Sequence, residues 1–228
     1  MIISHRHRFI FLKTEKTASS SLWSVFKAIA GERDRLYPAD QRVRRELITS
    51  HGSLENVSFI GSNGAGRRLL PGVFGLYRHA FASDVRAFIG PDLFERYMVI
   101  TSERNPFDRQ LSLFAHRRQK HGAVDLSRFS GAMESPMYNL LHYNRLRNWD
   151  VYAIDGKVCA SHVIRFENLQ DDLGAVLRDL GIDPEAHMLP HLKKTRPYAT
   201  YREFYSDRAR QLVSRWYRRE IAHFGYAF

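Results

Sequence analysis

With 228 residues, 44% of them hydrophobic, the chain can bury one substantial α/β core and lacks the composition of a disordered segment. A formal charge of +11 asks for an anionic partner, such as a nucleotide, an acidic saccharide or, by peripheral contact, a membrane surface. The dispersed arginines and the lack of an RNA-binding motif or recognition-helix pair argue against nucleic acid. The lone Cys159 excludes an intrachain disulfide, and its apolar setting reads as a small buried residue. No run reaches the ~18 apolar residues of a membrane span, and the start has no apolar leader core.

In chain order, residues 8–13 read as a first strand, built on Phe9-Ile10-Phe11-Leu12. Lys13-Thr14-Glu15-Lys16-Thr17-Ala18-Ser19-Ser20-Ser21 follows and leads into a helix with Leu22, Val25, Phe26, Ile29 and Ala30 on one face, stopped by Gly31. A strand turning into a helix through small hydroxyl residues points backbone N–H groups at one spot, where the helix dipole adds positive charge. Two lysines and several hydroxyls around that spot suit a phosphate or sulfate. There is no glycine between Lys13 and Ser21, so this is not a G-x-x-x-x-G-K-[ST] loop.

Residues 32–55 are polar and arginine-rich, and read as irregular structure or short helices. Val57–Ile60 reads as a short strand and Gly61–Gly66 as a loop without the G-x-G-x-x-G spacing. A short helix is expected over 83–89, a buried central strand over 97–102 and a helix over 106–120, with Asn105 as N-cap and Pro106 as first helical residue. Arg104 leaves the strand tip, and Ser112 lies ~9 Å along the helix from Pro106. The two can converge on one phosphate, although this element taken alone favours an Arg104 ion pair with Glu103 or Asp108 and a solvent-facing Ser112. A further helix is expected over 136–147. Asp155-Gly156 is read as a hairpin turn between Val151–Ile154 and a strand near 162–166. Asn168 should cap a helix that Gly181 ends, and the last helix spans about 207–222 with Leu212, Val213, Trp216 and Ile221 inward. Strands alternating with helices imply one domain over 1–228, a mainly parallel central sheet flanked by helices, with ligands beyond the carboxyl ends of the strands. No metal is expected: His5 and His7 share one face of an extended strand but have no partner at ligand spacing.

The Lys-Thr-x-Lys-Thr-Ala-Ser-Ser-Ser turn and the Arg104-Asn105-Pro106 strand end, with a serine eight residues after the arginine, together resemble the nucleotide site of sulfotransferases that use 3′-phosphoadenosine 5′-phosphosulfate. The first is most similar to the loop of galactose-type and bacterial carbohydrate sulfotransferases of family 2. His79 before a short helix, Arg165-Phe166-Glu167-Asn168-Leu169, and the tail from Tyr205 to Phe228 resemble further parts of that family. The resemblance spans most of the chain and is weakest over 31–71. It implies a P-loop-like sulfotransferase fold and sulfuryl transfer to a hydroxyl of a carbohydrate or glycolipid acceptor, without a metal. Lys16 would stabilise the leaving phosphate, and Lys13, Thr17, Ala18, Ser19, Ser20 and Ser21 would hold the 5′-phosphosulfate. Arg104 and Ser112 would hold the 3′-phosphate. Lys194 and Arg196, in the basic stretch His191–Arg196, would close over the nucleotide.

Glu15 departs from the family pattern, where Pro or His often stands, and leaves the general base open between His79 and Glu15, with His51 third. Eukaryotic relatives usually carry a Golgi anchor, and without one a cytoplasmic enzyme is implied. Arg117, Arg118, Arg145 and Arg147 are candidate acceptor contacts. A nucleotide kinase and a basic nucleic-acid-binding domain are the competing readings. The missing Walker glycines and the 3′-phosphate element stand against the first, and charge alone supports the second.

Overall fold

The computed structural model describes residues 1–31, 34–36, 79–119, 124–140, 145–187, 189 and 198–228. Expectations for His51, Val57–Ile60, Gly61–Gly66, Lys194 and Arg196 lie outside these residues.

The chain is α/β. A five-stranded sheet has the order β3-β1-β2-β4-β7, from β1 (Ile2–Ser4), β2 (Phe9–Phe11), β3 (Arg35–Leu36), β4 (Met98–Glu103) and β7 (His162–Arg165). β2, β4 and β7 run parallel, while β1 and β3 extend the edge antiparallel. The mainly parallel sheet expected from the sequence is thus realised in the three strands that carry the site. β1 is an addition: residues 8–13 were expected to open the sheet alone, but Ile2 and Ile3 pair back on Phe11 and Ile10. His5 and His7 sit in the turn between β1 and β2 instead of along a strand, and the His5 ring meets the Tyr97 hydroxyl at 2.7 Å.

Alternation along the strands divides two cores. Ile2, Phe9, Phe11, Ile100 and Ile164 pack on one face against α1 (Ser19–Ile29) and α8 (Leu169–Asp179), through Leu22, Phe26, Leu173 and Leu177. Ile3, Ile10, Leu12 and Val99 pack on the other, with Val85 of α2 (Ala82–Ile89), Phe94 of α3 (Pro91–Arg96), and Trp149 and Tyr152 of α7 (Asn148–Tyr152). A third core joins α4 (Pro106–Gln119), α5 (Phe129–Glu134) and α9 (Asp207–Trp216) through Phe107, Leu111, Phe129, Met133, Ala209 and Val213.

Tertiary contacts overrule several local expectations. Of the helix expected over 136–147, α6 (Pro136–Leu140) is helical and 145–147 are not, and a separate helix begins at Asn148. Asp155-Gly156 does make a hairpin, but between β5 (Ala153–Ile154) and β6 (Lys157–Val158). The strand at 162–165 lies instead beside β4 in the main sheet, with Ser102 opposite Ile164. Asn168 occupies the N-cap position without capping, because its amide donates to Asp172 at 2.7 Å. The helix expected over 207–222 breaks at Tyr217 into α9 and α10 (Arg218–Phe224). The break buries Tyr217 and Glu220 together, and the Tyr217 hydroxyl bonds Gln110 of α4 at 2.7 Å. Arg208, Arg215 and Arg219 face water as expected.

Candidate active site

The loop between β2 and α1 lies at the carboxyl end of the parallel strands. Leu12 continues β2 beside β4, its N–H reaching the Ile100 carbonyl at 2.8 Å. The chain then turns without glycine: Lys16 and Ala18 both adopt left-handed backbone, with φ of 61° and 60°. Each such residue costs ~1–2 kcal/mol relative to ordinary backbone, so the surroundings must hold the turn in place.

They do so by engaging its carbonyls. His79 Nδ1 bonds the Lys13 carbonyl at 2.6 Å, the Ser19 hydroxyl bonds that of Thr14, and the Asn148 amide bonds that of Glu15 at 3.0 Å. The Lys16 carbonyl lies 3.4 Å from Nη1 of Arg104, and the Ala18 carbonyl accepts from the N–H groups of Ser21 and Leu22. In a trans peptide, C=O and the following N–H point in opposite directions. The Glu15, Lys16 and Ala18 carbonyls drawn into the scaffold therefore turn the N–H groups of Lys16, Thr17 and Ser19 away from it. These N–H groups, and those of Ala18 and Ser20, meet no acceptor among the described residues. This is a concave nest of donors at a helix N-terminus, the geometry of an anion site.

The hydroxyls expected to bind phosphate divide by direction. Thr17 is buried, and its hydroxyl forms a triangle with those of Thr14 at 2.8 Å and Ser102 at 2.8 Å. The Thr17 and Ser19 hydroxyls are thus engaged within the protein, which leaves their N–H groups for an anion. Ser20 is exposed and accepts from Lys13 Nζ at 3.1 Å, while Ser21 is half-buried. Lys13 is buried beside the Trp23 ring and braces the loop. Lys16 is half-buried. Burial first, and the Arg104 charge second, hold its ammonium below the usual lysine value against a smaller opposing effect of Glu15. Two cations brought together in a partly desolvated place favour an anion.

The strand end of β4 is built differently. The Asn105 side chain accepts from the Phe107 N–H at 3.0 Å, capping α4 as expected. Arg104 is buried, and Asp108 takes its Nε at 2.9 Å and its Nη2 at 2.8 Å. The Phe166 ring lies 4.0 Å from the guanidinium carbon, and Glu167 accepts the Asn105 N–H at 2.7 Å. Asn105 also donates to the Ala227 carbonyl at 2.9 Å, so the Arg165–Leu169 step and the aromatic tail both meet at this strand end. Asp108 and Ser112 are one helical turn apart on the same stripe of α4, which places the guanidinium about one turn from the half-buried Ser112. Five N–H donors serve a guanidinium, and the three bonds given above leave one on each terminal nitrogen.

Sequence reasoning missed what lies beneath. Arg109 is fully buried between Glu103 and Glu220, over the Tyr217 ring at 4.5 Å. Burial opposes its charge, but the two carboxylates outweigh that and hold the guanidinium above its ordinary value. Glu103 also accepts the Arg104 N–H at 2.8 Å and the Tyr152 hydroxyl at 2.7 Å. The helical period of α4 carried a hint, since Arg109 falls among its inward positions. Asn148 carried none.

Glu15 is exposed, with its N–H held by the Asn148 side chain at 2.9 Å. Arg118 and Arg145 lie over the rings of Phe114 and Trp216, while Arg147 pairs with Asp150. Arg147, Phe81, Trp149, Asp150 and Arg219 line a cleft of about 290 Å³. The Cys159 thiol faces the Tyr152 carbonyl at 3.1 Å, and burial pushes it up to about 11, which suits no nucleophile. Among the described residues, no group of three or more His, Cys, Asp or Glu is arranged to hold a metal, and no helix is long and apolar enough to cross a membrane.

An α/β sheet with an anion nest and a buried arginine at the ends of adjacent parallel strands defines a protein that handles phosphate- or sulfate-bearing groups. The model of the sulfotransferase family matches residues 1–227, and the chain belongs to that family. It is also similar to an uncharacterized protein of Archaeoglobus fulgidus, 26% identical over 105 residues that cover 44% of this chain and 82% of the relative. No solved structure gives a significant match.

Proposed function

We propose that this protein transfers a sulfuryl group from 3′-phosphoadenosine 5′-phosphosulfate to a hydroxyl of a carbohydrate-like acceptor. The observation that carries the reading is the loop at 13–21, whose carbonyls are held by the scaffold while successive N–H groups are left without an acceptor among the described residues, with the half-buried Lys16 at its centre. The 5′-phosphosulfate fits this nest, and the 3′-phosphate fits the remaining donors of Arg104 with Ser112.

In the transfer, the acceptor oxygen bonds to sulfur as the bond from sulfur to the bridging oxygen breaks. The electron pair leaves with the 5′-phosphate. In-line placement and stabilisation of that leaving charge supply most of the acceleration, and Lys16 is the cation positioned for it. The acceptor proton goes to His79. A carbonyl only accepts, so Nδ1 carries the hydrogen bonded to Lys13, and in the neutral ring Nε2 holds the lone pair. Glu15, exposed beside Lys16, orients cations. The aromatic and charged side chains around the cleft of Phe81, Arg147, Trp149 and Arg219 are of the kind that stack on and hydrogen-bond a sugar.

Thermal unfolding in the presence of adenosine 3′,5′-bisphosphate, ATP and duplex DNA tests the donor. Stabilisation follows RT ln(1+[L]/Kd), so the bisphosphate should raise the midpoint most. A larger response to ATP would favour a kinase, and a response to DNA alone a nucleic-acid-binding domain. For the base, kcat/KM should rise with pH through ~6.5, a limb that His79→Ala removes and Glu15→Gln keeps. The opposite pattern would move the base to Glu15.

A further inference from the structure

α7 is only five residues long, yet it touches both halves of the candidate donor site. Asn148 and Tyr152 are four apart and therefore share a face, and both are buried. From that face the Asn148 amide closes two bonds on one residue of the loop. Its Oδ1 accepts the Glu15 N–H at 2.9 Å, and its Nδ2 donates to the Glu15 carbonyl at 3.0 Å. Glu15 immediately precedes Lys16, the first left-handed residue of the turn. One turn later, the Tyr152 hydroxyl donates to Oε2 of Glu103 at 2.7 Å, and the other oxygen of that carboxylate accepts the Arg104 N–H at 2.8 Å.

We propose that α7 is a brace that sets the two anion-binding elements in register, with Asn148 positioning the 5′ loop and Tyr152 positioning the 3′ strand end. The proposal rests on the donor reading above. Both are positioning residues that act through Glu15 and Glu103. Without the Asn148 amide, the part-buried N–H and carbonyl of Glu15 lose these two bonds. The peptide can then rotate, Lys16 can relax from its strained conformation, and the nest opens. Without the Tyr152 hydroxyl, Glu103 loses one of the groups that fix its orientation, and the Arg104 backbone it holds is less well placed. A short helix can do this because a side-chain amide copies the hydrogen-bonding of a strand neighbour, donor and acceptor together.

The test compares three ligands by calorimetric titration: adenosine 3′,5′-bisphosphate, adenosine 5′-phosphate and adenosine 3′-phosphate. Asn148→Ala should weaken the two ligands that carry a 5′-phosphate by about tenfold and the 3′-phosphate by less than about twofold. Tyr152→Phe should do the reverse, with a loss of about threefold to fivefold confined to ligands with a 3′-phosphate. A residue that merely supports the fold would weaken all three alike, and equal losses or none would overturn the brace. Should Asn148→Ala fail to fold, Asn148→Asp keeps the acceptor for the Glu15 N–H, removes the donor, and is read by the same comparison. Wild-type protein that binds ATP more tightly than the bisphosphate would instead overturn the donor reading, and the brace with it.

Discussion

The loop at 13–21 combines backbone N–H donors that meet no acceptor among the described residues with a half-buried ammonium whose charge is only partly offset by Glu15. At the strand end of β4, by contrast, the buried guanidiniums of Arg104 and Arg109 are already matched by Asp108, Glu103 and Glu220. The loop is electrostatically unfinished, whereas the two strand-end guanidiniums already face three carboxylates. A site for a doubly anionic nucleotide needs both. On the proposed function, the loop would gain most of its compensation from the ligand, whereas the strand end would yield only its spare donors. Arg104 belongs to both regions, since its Nη1 also reaches the Lys16 carbonyl.

The largest effect should come from disturbing the finished half. Arg109→Met leaves two buried carboxylates without their cation, and loss of one partner from such a pair costs about 3–5 kcal/mol. Urea unfolding should show that loss. A change under about 1 kcal/mol would mean that the strand end does not depend on paired charge.

Next is the unfinished half. Lys16→Ala should keep nucleotide affinity within about tenfold while lowering turnover by a factor on the order of 10², because the charge acts on the departing phosphate. Near-normal turnover would remove Lys16 from catalysis. The same residue sets a pH dependence. Its ammonium is held below the ordinary 10.5 by burial and by Arg104, and a bound anion raises it again. The complex therefore holds more protons than the free protein, and affinity for the bisphosphate should fall as pH rises through the alkaline range below 10.5. Titrations across that range check this. In Lys16→Ala the slope should flatten.

A smaller effect is expected where the halves meet. Arg104→Ala should weaken adenosine 3′,5′-bisphosphate by about 1.5–3 kcal/mol and adenosine 5′-phosphate much less. Equal losses would place Arg104 with the fold alone. The smallest concerns strain. Ala18→Gly relieves a left-handed residue and should stabilise the protein by about 0.5–1 kcal/mol after the entropy of glycine is subtracted. A lower thermal midpoint would show that the Ala18 methyl group contributes packing worth more than the strain.

The chain itself determined the α/β class, the position of the anion loop and the pairing of that loop with the Arg104 strand end. These follow from local chemistry: apolar runs that must be buried, hydroxyls and lysines at a strand-to-helix turn, and an Asn-Pro helix start. The tertiary structure decided how the loop works. Which way Thr17 and Ser19 turn their hydroxyls depends on Ser102 of β4 and the Thr14 carbonyl. Which way the peptides face depends on His79, Arg104 and Asn148, which lie 66, 88 and 133 residues from the groups they hold. The broken helix at Tyr217 and the misassigned hairpin at Asp155 have the same origin. A local pattern records which face of a segment is apolar, whereas a buried hydroxyl, amide or carboxylate takes its direction from whichever partner the packed fold brings within about 3 Å.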